Sequence, residues 1–122
     1  MEGHVYSLVQ ETLVRDILYE SEVALLVVDD TMRILVANKA AADLSGYTAE
    51  ELTRLQSWQI TGDPEQSARN AKRVHLGGRL ASQSTVRHKD GHVIPCSYFA
   101  WEVRVAAMPF IAILLWPEEP AG

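Results

Sequence analysis

Apolar positions recur with two different periods along this chain, and the change of period divides it into elements. Over residues 5–20, Val5, Tyr6, Val9, Leu13 and Ile17 return at spacings near four, while Gln10, Glu11, Arg15 and Glu22 mostly fall elsewhere. That pattern predicts an amphipathic helix. Leu8, Val14 and Leu18 break the polar side, so the helix is expected to touch apolar surface on more than one side. Residues 23–28 are a short apolar run rich in β-branched side chains, closed by Asp29 and Asp30, and 34–37 form a second. The link between them has hairpin length and turn chemistry, which predicts two antiparallel strands.

From residue 38 the punctuation changes to helix signals. Asn38 precedes a run of good helix formers and reads as an N-cap, and Gly46 reads as the left-handed stop. Thr48 and Glu51 have capping-box spacing and open a short helix through Leu52. Asp63 and Pro64 open a longer helix to about Leu76, halted by Gly77 and Gly78. Beyond Arg79 the period shortens again. Residues 80–88 alternate loosely, Lys89, Asp90 and Gly91 make a hairpin turn, and 92–105 and 110–116 are two further strands around a tight turn at 106–109. Strands joined by short turns are antiparallel, and helices gathered in one crossover lie mainly on one face. The expected class is an α+β sandwich.

Composition narrows the function. One domain accounts for 122 residues, and an apolar content of 48% excludes disorder. Eleven basic against sixteen acidic side chains leave a net charge of −5, with no basic surplus for direct nucleic-acid binding. Cys96 is the single cysteine, which excludes an internal disulfide or a multi-cysteine metal site. No apolar run approaches the roughly 20 residues that cross a bilayer, and no export signal opens the chain. The expectation is a cytoplasmic domain with no membrane partner. No phosphate loop, nucleophile elbow or metal-ligand spacing stands out, so no enzyme and no metal site is expected.

The stretches ALLVVD (24–29), ILVANKAAADLSGYTAEEL (34–52), WQITGDP (58–64) and VRHKDGHVIP (86–95) together resemble a PAS (Per-ARNT-Sim) domain, the small sensory module of signalling proteins. The resemblance covers about residues 21–116. It implies a five-stranded antiparallel sheet in order 2-1-5-4-3, with helices on one face enclosing a ligand cavity. The organisation expected is an N-terminal helix over 1–20 lying on the opposite face, the PAS domain over 21–117 and a tail over 118–122. Two departures stand out: Thr53 occupies a position where the family commonly has glycine, and the last strand runs into Pro117 and Pro120. Neither proline continues a helix, which argues against output through a C-terminal coiled coil.

Set on that fold, both faces of the closing strands are apolar. The expected register turns Ile94, Cys96, Tyr98, Ala112 and Leu114 toward the cavity, with Trp58, Ala71, His75 and Ser84 (or Ser82) as further lining candidates. The other face would carry Phe99, Trp101, Ile113 and Leu115, covered by Val9, Leu13 and Ile17 of the first helix or by a second protomer. A homodimer is expected, with cover by the chain's own helix as the alternative. Asn38 and Asp43 read as structural, Trp58 as a core plug, and Cys96 as inert packing. Arg69, Lys72 and Arg73 read as a solvated helix face. His88 and His92 flank a turn and read as solvated.

The resemblance raises two cofactors. Flavin-binding relatives carry a cysteine after the short helices, where this chain has QSWQI (56–60), and the expected inward positions Cys96 and Leu114 offer no amide. No flavin is expected. Haem-binding relatives use a histidine of the long helix, which makes His75 the candidate axial ligand, although a helix C-terminus favours histidine on its own. The leading function is a sensory module that binds a small, mostly apolar ligand or mediates homodimerisation upstream of a signalling partner. The alternatives are a ligand-free dimerisation or adaptor domain and, third, a haem sensor.

Overall fold

The computed structural model describes residues 9, 13, 16, 18–61 and 63–118. Its strands are β1 (Ala24–Val28), β2 (Ile34–Ala37), β3 (Arg79–Arg87), β4 (Val93–Val105) and β5 (Met108–Pro117). Between β2 and β3 lie α1 (Lys39–Ser45), α2 (Ala49–Leu52), α3 (Trp58–Thr61) and α4 (Pro64–Gly77). The sheet order is β2-β1-β5-β4-β3 and every pairing is antiparallel. This is the expected α+β architecture.

Local chemistry sets the helix ends where the sequence indicated. Asp63 accepts from the Gln66 amide at 3.1 Å and Pro64 follows it, starting α4, while Gly78 ends it at φ +81°. Thr48 and Glu51 close a reciprocal capping box. Gly46 ends α1 at φ +78°, where a Cβ would also collide with the His88 ring. Asn38 does more than cap. Its buried Oδ1 accepts from Ala41 at 3.0 Å and Leu25 at 2.9 Å, and its Nδ2 donates to the Leu18 carbonyl at 2.7 Å and the Val23 carbonyl at 2.9 Å. One amide thus joins α1, β1 and the segment before β1.

The core lies between helices and sheet. Leu26, Val28, Ile34, Leu52, Ile60, Val74, Val86 and Ile111 are buried there. α1 packs on β1, and α3 and α4 pack on β3. Of the expected first helix, Val9, Leu13, Asp16 and residues 18–20 are helical. Val9 is 47% and Leu13 53% exposed. Val5, Tyr6 and Ile17 lie outside the described residues, as do tail residues 119–122.

The closing strand corrects one expectation. Val105 pairs with Met108 across a two-residue turn, so Tyr98 faces Leu115, Ala100 faces Ile113, and Glu102 faces Ile111. Ile113 and Leu115 therefore share the helix-covered face with Tyr98. Ala112 and Leu114 share the opposite face with Trp101 and Phe99, their direct partners. A one-residue difference in register exchanges every side chain of a strand between faces.

Candidate functional site

α4 presents small and polar residues to the sheet at helical spacing: Ser67, Asn70, Ala71 and Val74. Opposite them stand Leu26, Ala100, Ile111, Ile113 and Leu115. Between the two lies a cavity of about 80 Å³ whose rim includes Asp63, Gln66 and Thr61. The sheet wall is apolar apart from Tyr98 and Ser84, and the helix side carries hydrogen-bonding groups.

Two buried hydroxyls make this space chemically distinctive. Tyr98 is 7% and Ser57 4% exposed, and both line the cavity. Neither the Tyr98 Oη nor the Ser57 Oγ makes a hydrogen bond of good geometry among the described residues, although the Ser82 side chain lies close to the Tyr98 hydroxyl. An unpaired buried hydroxyl costs about 1–3 kcal/mol, so such groups are rare without a purpose. Burial raises the Tyr98 pKa above its ordinary value of 10.0, which keeps the phenol a neutral donor. Among the described residues no ionised side chain hydrogen-bonds to these two groups, and the Arg73 charge acts on Tyr98 only from a distance. The site suits an uncharged guest.

The sequence candidates separate clearly. Tyr98, Ala71 and Ser84 line the cavity. Cys96 is fully buried but not on its wall, and burial pushes its thiol pKa up, away from reactivity. Ile94 and Trp58 are half-buried and also off the wall. Leu114 and Ala112 lie on the other face, for the register reason given above. His75 is turned outward, its Nδ1 3.1 Å from Glu102 Oε1 across the α4–β4 contact. Ser57, Thr61, Gln66, Ser67 and Asn70 were not singled out in the sequence, and Asp63 only as a helix cap. The signal available was a polar stripe at the start of α4, Asp63, Gln66, Ser67 and Asn70 at i, i+3, i+4 and i+7 spacing, of which Ser67 and Asn70 are half-buried; Ser57 and Thr61 precede that helix.

The volume bears on cofactors too. Sites for drug-sized ligands occupy roughly 300–1,000 Å³, several times this cavity, and His75 does not point into it. A haem does not fit the cavity as formed.

On the far face of the sheet, Phe99 and Trp101 are half-buried with ring centroids 5.7 Å apart. Central Leu25 and Ala112 are buried, while Val36 at one edge is 48% exposed. The aromatics are therefore partly covered, and the face is apolar from β2 to β4.

A third concentration of chemistry sits at the β3–β4 turn. His88 and His92 pair across the hairpin, the His88 amide donating to the His92 carbonyl at 2.8 Å, and their rings stack at 4.5 Å. Asp90, at the apex, folds its carboxylate onto both: Oδ1 lies 3.2 Å from His88 Nδ1 and within hydrogen-bond reach of His92 Nδ1. The hydrogen bond from the His92 amide holds the Asp90 pKa below its usual range. His88 is thus not a solvated side chain but one packed against Gly46. Lys89 donates its amide to the Ser45 carbonyl at 2.8 Å and its ammonium to Glu51 at 2.7 Å. Among the described residues, no helix is long and apolar enough to cross a membrane.

Comparison with known proteins agrees with this architecture. A family model described as PAS domain matches residues 22–111. No curated protein matches the chain. Among solved structures, a PAS domain from a two-component sensor histidine kinase superposes with a TM-score of 0.81 at 12% identity, covering 92% of this chain and 99% of its own. The PAS domain of a Desulfitobacterium hafniense protein gives 0.77 at 23%, covering 84% and 99%. A PAS domain in complex with ethanol, from a LuxR-family transcriptional regulator of Burkholderia thailandensis, gives 0.70 at 12%, covering 84% and 95%. Identities this low speak to the fold, whereas the family match spans most of the sequence. This chain belongs to the PAS domain family, the small sensory domains of signal-transduction proteins.

Proposed function

We propose that this PAS domain is a sensor whose cavity admits a small, uncharged, mostly apolar molecule bearing one or two hydrogen-bonding groups. The observation that carries the reading is the pair of buried hydroxyls without a hydrogen-bond partner, Tyr98 Oη from the sheet and Ser57 Oγ from the segment before α3, both lining the cavity. About 80 Å³ exceeds the roughly 30 Å³ share of one water and suits a guest of a few heavy atoms. The ethanol complex of one structural neighbour supports that size class. A guest signals only if it favours one arrangement of the domain over another. The apolar sheet face with Phe99 and Trp101 is the surface through which that difference would reach a second copy or an effector.

Native and denaturing mass spectrometry of the purified chain test the reading, together with melting curves in a series of short alcohols. A released small molecule, or a saturable rise in melting temperature that Tyr98→Phe abolishes, is the expected result. No co-purified mass and no saturable response would leave the second reading, a ligand-free dimerisation domain. That reading is favoured by the apolar outer face alone. Its own check is sedimentation: Trp101→Glu lowers the measured mass if the face joins two copies and leaves it unchanged otherwise.

A further inference from the structure

We propose that His88, Asp90 and His92 form a binding site for one divalent transition-metal ion at the β3–β4 turn. One ligand atom from each residue lies within 4.8 Å of the others, so all three converge on a common point. Two imidazoles and a carboxylate are the nitrogen and oxygen set that zinc, nickel and copper ions take, at about 2.0–2.2 Å for zinc. The backbone enforces the convergence. Direct pairing of residues 88 and 92 puts both rings on one side of the hairpin, and the His92 amide at 2.9 Å holds the Asp90 carboxylate over them.

The surroundings favour a cation. Lys89, the nearest ammonium in the turn, is engaged by Glu51, and among the described residues no lysine or arginine pairs with Asp90. The His88 ring rests on Gly46, whose missing side chain leaves the room it occupies. One ligand is thereby fixed against the C-terminal end of α1. His92 and Asp90 stay more than half exposed, which leaves an entry path and open positions for water. Imidazole and carboxylate bind an ion only when deprotonated, so binding weakens in acid. Occupancy would fasten the hairpin turn to the end of α1 at a point well away from the ligand cavity.

Titration calorimetry of the tag-free chain with zinc chloride and nickel chloride, at pH 7.5 and 5.5, is the test. The expected result is one ion per chain at pH 7.5, greatly weakened at pH 5.5. His92→Gln and Asp90→Asn, each verified as folded by circular dichroism, are expected to weaken binding by roughly tenfold or more. His75→Gln and His4→Gln are expected to leave it unchanged. Absence of saturable binding, full retention in both turn variants, or loss in either control would overturn the assignment.

Discussion

The two faces of one sheet have been finished in different ways. On the helical side, Tyr98, Ala100, Ile111 and Leu115 are buried beneath α4 and its neighbours, yet two hydroxyls there lack partners. On the opposite side, Phe99, Trp101 and Leu114 come from the same strands one residue out of step, and they remain half-buried. The inner face is closed but chemically incomplete, while the outer face is chemically satisfied but not fully covered. Each shortfall points to a different kind of partner: a small polar-tipped molecule inside, a polypeptide outside.

The largest expected effect separates the faces by packing. Ile111→Ala opens a void in the inner core and is expected to cost about 3 kcal/mol in urea unfolding. Leu114→Ala, half-buried outside, is expected to cost about 1 kcal/mol in dilute solution. If copies associate through this face, the cost of Leu114→Ala grows with protein concentration. Equal costs would mean that the two faces are covered alike.

Asn38→Ala comes next, because it attacks the joint between the two sides. It leaves the buried Leu25 amide and the Leu18 and Val23 carbonyls unpaired and removes the α1 cap. A loss of about 2 kcal/mol is expected, with faster hydrogen exchange at Ala41 and Leu25. A loss of only a few tenths would show that water replaces the amide readily.

The smallest effect concerns pH. The Lys89 ammonium, then the Thr48 amide, hold the Glu51 carboxyl below its ordinary 4.5. A folded pKa depressed in this way contributes stability above the unfolded value and loses it as pH falls through the folded one. Wild type is therefore expected to lose stability below about pH 4.5 more steeply than Glu51→Gln, as followed by urea midpoints. Parallel curves for the two proteins would contradict that.

Much of this was legible in the sequence, and the exception is instructive. Asn38, Gly46, Thr48 with Glu51, and Asp63 with Pro64 announce their helix ends because capping needs particular side chains. The β5 register was not legible. Alternation assigns faces only when one side is polar, and Phe110 through Trp116 is apolar throughout. The deciding feature is the turn at Ala106 and Ala107, with φ of 50° and 65°. Alanine seldom adopts that conformation, and glycine or asparagine there would have signalled a two-residue turn. A four-residue turn shifts each partner by two and keeps the same faces, so Ile113 and Leu115 lie with Tyr98 for either length; placing Ala112 and Leu114 there would take a turn with an odd number of residues. The histidine turn was hidden differently: its three ligands are close in sequence, but their convergence depends on how the hairpin pairs.

Methyl NMR during titration with ethanol and 1-butanol tests the central asymmetry most directly. Saturable shifts are predicted for Leu26, Ile111, Ile113 and Leu115, with Leu25 and Leu114 still, and all response is predicted to vanish in Tyr98→Phe. Shifts spread equally over both faces, or none that saturate, would contradict the account.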